Sequence, residues 1–143
     1  MTVASTSTLS SNSGAENGGA ISGTGITLNN PTIANNTADS HGGSIHISGG
    51  TNVLNGIGPT NNTSTGGTDV RITGGSTTLT GTLTIPGEIS ITGGTVLGGS
   101  STVNLGEDFH FTAGTFTAGT STFNFNGGGN QQIYGGSCRR LTI

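Results

Sequence analysis

Ile45-His46-Ile47-Ser48-Gly49-Gly50, Val70-Arg71-Ile72-Thr73-Gly74-Gly75 and Ile89-Ser90-Ile91-Thr92-Gly93-Gly94 are three spellings of one pattern: apolar, polar, apolar, small polar, then a glycine pair. Alternation with period two puts both apolar side chains of a copy on one face of a β-strand. The glycines supply the positive φ that a sharp corner needs. Looser copies are Ile26-Thr27-Leu28-Asn29, Phe109-His110-Phe111-Thr112-Ala113-Gly114 and Phe123-Asn124-Phe125-Asn126-Gly127-Gly128, so the first apolar residues follow one another at steps of 19, 25, 19, 20 and 14. A chain that turns a corner and returns to the same strand after such a step is winding a solenoid. The sequence therefore predicts an all-β fold, a right-handed parallel β-solenoid (β-helix) of about five to six coils, its hand resting on the general preference of parallel crossovers.

Further strands fit into each coil. A second is read at Asn52-Val53-Leu54, Thr78-Leu79-Thr80, Thr95-Val96-Leu97 and Thr115-Phe116-Thr117, and a third at Thr82-Leu83-Thr84-Ile85 and Thr102-Val103-Asn104-Leu105. Stacked in parallel register, the copies give two inward columns: Ile26, Ile45, Val70, Ile89, Phe109, Phe123, and Leu28, Ile47, Ile72, Ile91, Phe111, Phe125. All five Phe fall between 109 and 125, so rings are expected to stack toward the C-terminus. The chain reads as one domain, 1–143, with 1–25 as an N-terminal capping or edge segment, 56–68 as a coil carrying a polar loop, and 109–143 as Phe-rich C-terminal coils.

Composition agrees and excludes much else. Of 143 residues, 86 are Gly, Thr, Ser or Asn, only 28% are hydrophobic and 6% charged, and Lys and Trp are missing, so helix formers are scarce. The formal net charge of −3 offers no cationic surface for phosphates or anionic lipid, which argues against nucleic-acid binding, and no apolar run approaches a membrane span. The start lacks a basic, then apolar, secretory signal, so export information is expected elsewhere. Cys138 has no second cysteine to pair with.

Gly18-Gly19-Ala20-Ile21, then Asn35-Asn36-Thr37-Ala38, then Gly42-Gly43-Ser44-Ile45 resemble the paired tetrapeptide repeats of the polymorphic outer-membrane protein family, with Ile33 where those repeats usually carry Phe. The stretch from Gly114 to Gly127, continuing to Leu141-Thr142-Ile143, is similar to repeats of large exported solenoids of Bacteroidetes-type bacteria. Together these short motifs cover about half the chain. The resemblance implies a β-helical passenger, extracellular or at the cell surface, that serves adhesion.

Chemistry would sit on the outward columns. The residue before the first apolar position is Asp69, Glu88 and Asp108 in three successive copies, while the residue between the apolar pair is Thr27, His46, Arg71, Ser90, His110 and Asn124. Carboxylates one strand spacing apart repel unless a cation or a base compensates them. Asp69, Glu88 and Asp108 are thus a candidate cation-binding column, with Ca2+ as the ion considered. With Arg71 and His110 they could instead form a carbohydrate-active or carbohydrate-binding patch. A solvated face salt-linked through Arg71 needs less, because one Tyr and no Trp leave few platforms for sugar. His41 and His46, five apart, do not make a zinc spacing; no Gly-x-Ser-x-Gly elbow occurs, and Gly127-Gly128-Gly129 lacks the Lys of a phosphate loop. An ice-binding array would need Thr-x-Thr in one register, yet Thr82-Leu83-Thr84, Thr115-Phe116-Thr117 and Thr120-Ser121-Thr122 fall at different points of the coil.

The expected function is therefore that of a non-catalytic structural or adhesive solenoid, with no cofactor, no nucleic acid and no membrane insertion, and with a cell-surface or glycan partner. Neither end offers an amphipathic capping helix. Phe123, Phe125, Leu141 and Ile143 would present an apolar end, so homo-oligomers stacked end to end, or continuation into a longer solenoid, are expected.

Overall fold

The computed structural model describes residues 1–14 and 16–135. Among them there is no helix; the strands are all parallel and stack in about six turns, a β-solenoid. The first face is the ladder Ile21–Thr24, Ile45–Gly49, Thr68–Ile72, Glu88–Ile91, Phe109–Phe111, Ile133–Gly135. The second is Thr2–Val3, Thr27–Asn29, Thr51–Asn55, Ser76–Thr80, Thr95–Leu97, Thr115–Thr117. Two perimeters close the coils. In the N-terminal half, two short ladders do so, Thr8–Ser10 with Thr32–Ala34, and Ser13–Gly14 with Thr37–Ala38 and Thr63–Ser64. Further on, one longer ladder replaces both: Thr82–Ile85, Thr102–Leu105, Thr122–Phe125.

Period-two alternation places the core. Ile45 and Ile47 are fully buried on either side of the half-buried His46, and Ile47, Ile72 and Ile91 pair directly in one inward column. Two details differ from the alignment of the repeats. Ile26 and Leu28 do not begin the first face: Ile21 and Gly23 pair with Ile45 and Ile47, and Leu28 sits on the second face between Val3 and Leu54. Phe123 and Phe125 belong to the third ladder, over Val103 and Leu105, while Ile133 and Gly135 follow Phe109 and Phe111. The first face therefore recurs from Ile21 to Ile45, Val70, Ile89, Phe109 and Ile133, at steps of 24, 25, 19, 20 and 24, and the apparent step of 14 is a change of face. Both errors have one cause: apolar-x-apolar recurs on every face, so the pattern alone cannot say which wall of the coil it belongs to.

The Phe rings do not stack along columns. Phe109, Phe116 and Phe123 come from three walls of a single coil and meet edge-on across its interior, with centroids 5.7, 5.4 and 5.6 Å apart. One layer of rings fills a cross-section that other coils fill with aliphatic side chains. Residues 1–25, read as a capping or edge segment, contribute the end strand of both faces and of both short ladders. Within residues 56–68, read as a coil carrying a loop, Thr60 bridges to Ala34 and Thr63–Ser64 pairs with Thr37–Ala38.

The wide coils turn their corner on a repeated device. Ser11, Asn35 and Asn61 adopt φ of 59°, 57° and 54°, and each is followed by an asparagine: Asn12, exposed, Asn36, buried, and Asn62, half-buried. The amides form a ladder: Asn12 Nδ2 donates to Asn36 Oδ1 (2.8 Å) and Asn36 Nδ2 to Asn62 Oδ1 (2.8 Å), while the backbone N–H of Asn12 and of Asn36 each donate to the amide oxygen one coil on (3.0 Å each). Asn52 does similar work between the first two faces, accepting the Ile26 N–H at 2.9 Å while fully buried. Buried corners thus satisfy backbone groups that no strand ladder reaches.

Candidate functional site

The outward column of the first face runs Ser22, His46, Arg71, Ser90, His110, Tyr134, with Ser22 and Tyr134 where the repeat alignment had Thr27 and Asn124. His46 lies between the Ser22 hydroxyl (3.1 Å from Nδ1) and the Thr73 hydroxyl (3.3 Å from Nε2). Burial, then the charge of Arg71, then His41, hold its pKa below the ordinary imidazole value; burial and Arg71 lower that of His41.

The expected column of three carboxylates is broken. Pairing on the first face skips a residue between Thr68 and Val70, so Asp69 is the extra residue of a β-bulge, and Thr68, not Asp69, opposes Glu88. Asp69 is only 6% exposed, where an exposed acid was expected. The Ser44 hydroxyl donates to its carboxylate and to its carbonyl oxygen (2.7 Å). Burial pushes the Asp69 pKa up, the charge of Glu107 adds to this, and the Ser44 hydroxyl and Gly87 amide oppose it. The signal for the bulge was in the spacing: Gly19 and Gly43 are followed by one residue before the apolar position, whereas Gly67 is followed by two.

Glu88 and Asp108 do come together, and the third member is His110. A carboxylate oxygen from each acid and a ring nitrogen of His110 all lie within 4.8 Å of one another. His110 Nδ1 stands 3.3 Å from Glu88 Oε1, and His110 is one of the two bases, with Arg71, expected to compensate these acids. Asp108 Oδ1 accepts the Gln132 N–H at 2.7 Å, and Tyr134 sets its ring edge-on to His110 at 4.2 Å. Neither Gln132 nor Tyr134 was singled out from sequence, because the coil that carries them lacks the repeated motif.

Just ahead of these strands, where two perimeters meet, Asn61, Thr63, Asp69, Gly87 and Glu107 line an open concavity of about 360 Å³. It adjoins a second of about 420 Å³ bounded by Pro86, Glu107, Asp108, Gly128 and Asn130. Glu107, not a candidate from sequence, is thus the carboxylate that neighbours Asp69. Of the expected self-association residues, Phe123 and Phe125 are half-buried in the last described coil, and Leu141 and Ile143 lie outside the described residues, as do Cys138, Arg139 and Arg140. Among the described residues no helix is long and apolar enough to cross a membrane. No protein-family model matches the chain, and neither a curated protein nor a solved structure matches it.

Proposed function

We propose that the chain is a non-catalytic structural or adhesive solenoid, displayed outside the cell in the manner of bacterial surface passengers and stacking end to end or continuing into a longer solenoid. The observation that carries this reading is the persistence of two faces through six strands each, with side-chain ladders in register on them. Asn55 donates to Asn29 at 2.7 Å and Asn124 to Asn104 at 2.9 Å, so even exposed columns are tied coil to coil. A rod stiffened in this way holds whatever it carries at a fixed distance. Stacking is supported by the third ladder, where Leu83, Val103, Ile85 and Leu105 are at most 1% exposed under the next coil while Phe123 and Phe125 are half-buried. Right-handed winding and kinship with polymorphic outer-membrane or Bacteroidetes-type solenoids belong to the same proposal and rest on the motifs quoted above.

Sedimentation and electron microscopy of the purified chain test it. Concentration-dependent rods that Phe123→Ser and Phe125→Ser disperse, with the far-UV spectrum unchanged, are the expected result. A monodisperse monomer at millimolar concentration, without filaments, refutes stacking. A second reading, recognition of an extended glycan, is favoured by the joined concavities beside Asp69 and Glu107. Binding on a glycan array that Glu107→Gln abolishes would establish it.

A further inference from the structure

We propose that Glu88, Asp108 and His110 form a divalent-cation site that takes a borderline ion of the zinc or cobalt class in preference to calcium. A column of three carboxylates would have been an all-oxygen set suited to calcium. The bulge removes Asp69 from that column, and the strand pairing supplies an imidazole in its place. Two oxygens and one ring nitrogen suit borderline ions, for which neutral imidazole is a common ligand.

Geometry points the same way. Ligands around one such ion, with bonds of about 2.1 Å, lie roughly 3–3.4 Å apart when adjacent and about 4.2 Å apart when opposite. The Nδ1–Oε1 separation of 3.3 Å matches an adjacent pair, and the three ligand atoms all lie within 4.8 Å of one another. Of the two ring nitrogens only Nδ1 faces the carboxylates, since Nε2 is shut off from solvent, so Nδ1 is the one that could reach an ion held between them. Asp108 is held from outside the cluster, since the Gln132 N–H fixes Oδ1, and Gln131 ties the same segment down by donating to the carbonyls of Leu105 and Glu107 at 2.8 Å.

The test is calorimetry and thermal melting of the metal-stripped chain in a Cys138→Ser background with zinc chloride, and separately with calcium chloride. The expected result is one zinc per chain and a melting temperature raised by about 5–10 °C at a hundredfold excess over Kd. Calcium should give no comparable shift. His110→Ala should weaken zinc binding beyond the ~10–100-fold that loss of an outer-shell group costs, whereas His41→Ala with His46→Ala should leave it unchanged. Absence of zinc binding, equal stabilisation by calcium, or zinc binding that survives His110→Ala overturns the proposal. If His110→Ala does not fold, histidine modification by diethyl pyrocarbonate on the unsubstituted chain decides: zinc must protect His110 and leave His41 and His46 reactive, and protection of either of those instead overturns it.

Discussion

Replacing Asn36 by alanine tests whether amide ladders carry the fold of the wide coils. Asn36 is fully buried, and its side chain makes four hydrogen bonds: Oδ1 accepts from the Asn12 N–H and Nδ2, and Nδ2 donates to the Leu9 carbonyl and to Asn62 Oδ1. In the alanine variant Asn62 Oδ1 keeps the Asn36 backbone N–H, but the Asn12 N–H loses its acceptor and the Leu9 carbonyl this donor. Asn12 is exposed, so water can take over its N–H, and at about 0.5–1.5 kcal/mol for each of the four bonds lost the change should destabilise by about 2–6 kcal/mol. Thr37→Ala, which removes only the exposed 3.3 Å contact with the Thr63 hydroxyl, should stay within about 0.5 kcal/mol and serves as control. Asn36→Asp separates donor from acceptor: it keeps the acceptor for Asn12 but puts a buried charge against Leu9 O and Asn62 Oδ1, so part of its loss should return when acid protonates it. Urea unfolding followed by circular dichroism gives the free energy, and an unchanged m-value shows that the same surface is exposed. In a solenoid, terminal coils can open separately, so amide exchange of residues 2–14 should rise first. Asn36→Ala within about 1 kcal/mol of the parent, at equal m and unchanged exchange, would refute the claim that the ladder sustains the corner.

Other expectations follow from single residues. Burial raises the Asp69 pKa, so the folded state binds the proton more tightly than the unfolded chain does, and stability falls as pH rises from the ordinary carboxylate value through the raised one. Asp69→Asn should therefore raise the melting temperature at pH 7 and flatten this dependence; a loss of stability at pH 7 contradicts it. His46 is the opposite case: its lowered pKa means that stability present above the ordinary imidazole value is lost as pH falls through and below it, and His46→Gln should remove that contribution from the melting profile. Leu105→Ala deletes a fully buried side chain between Ile85 and Phe125 and should cost about 2–5 kcal/mol in denaturant unfolding. Gly106→Ala would bring a Cβ within 2.2 Å of the Pro86 carbonyl oxygen, so it should destabilise the narrow coils, and a neutral result would mean that the coils there are not in close contact.

Parallel strands, a solenoid of about six coils and the inward column Ile47, Ile72, Ile91 were legible because hydrophobic alternation and glycine corners are local signals. Which wall a strand belonged to was not, because Phe123-Asn124-Phe125 and Phe109-His110-Phe111 are alike in pattern and differ only in what they stack on. The Asn-Asn-Thr stretches at 35–37 and 61–63 were visible as a motif once and as a loop once; only the amide ladder shows them to be the same corner. The site was half legible. Glu88 and Asp108 were placed side by side correctly, but alignment on the first apolar residue hid the bulge, and with it the exchange of Asp69 for His110.

The bulge and the concavity share an origin in the change of perimeter. A wide coil spends 24 or 25 residues between first-face strands and closes through two short ladders; the next spends 19 and closes through one. At that step Asn61 to Ser64 form a ledge with no equivalent in the following coil, and Pro86, Gly87 and Glu107 lie beneath it, which opens the space the ledge overhangs. The strand that leads out of the last wide coil must still bring Val70 over Ile45 and under Ile89, and the residue it cannot fit into the ladder is Asp69. Close approach at this point is strict, since a Cβ on Gly87 would stand 2.9 Å from that of Asp69. Acidic chemistry at the step is thus a consequence of coil length: the extra residue buries one carboxylate against Ser44, and the restored ladder immediately after it aligns Glu88 with Asp108 and His110.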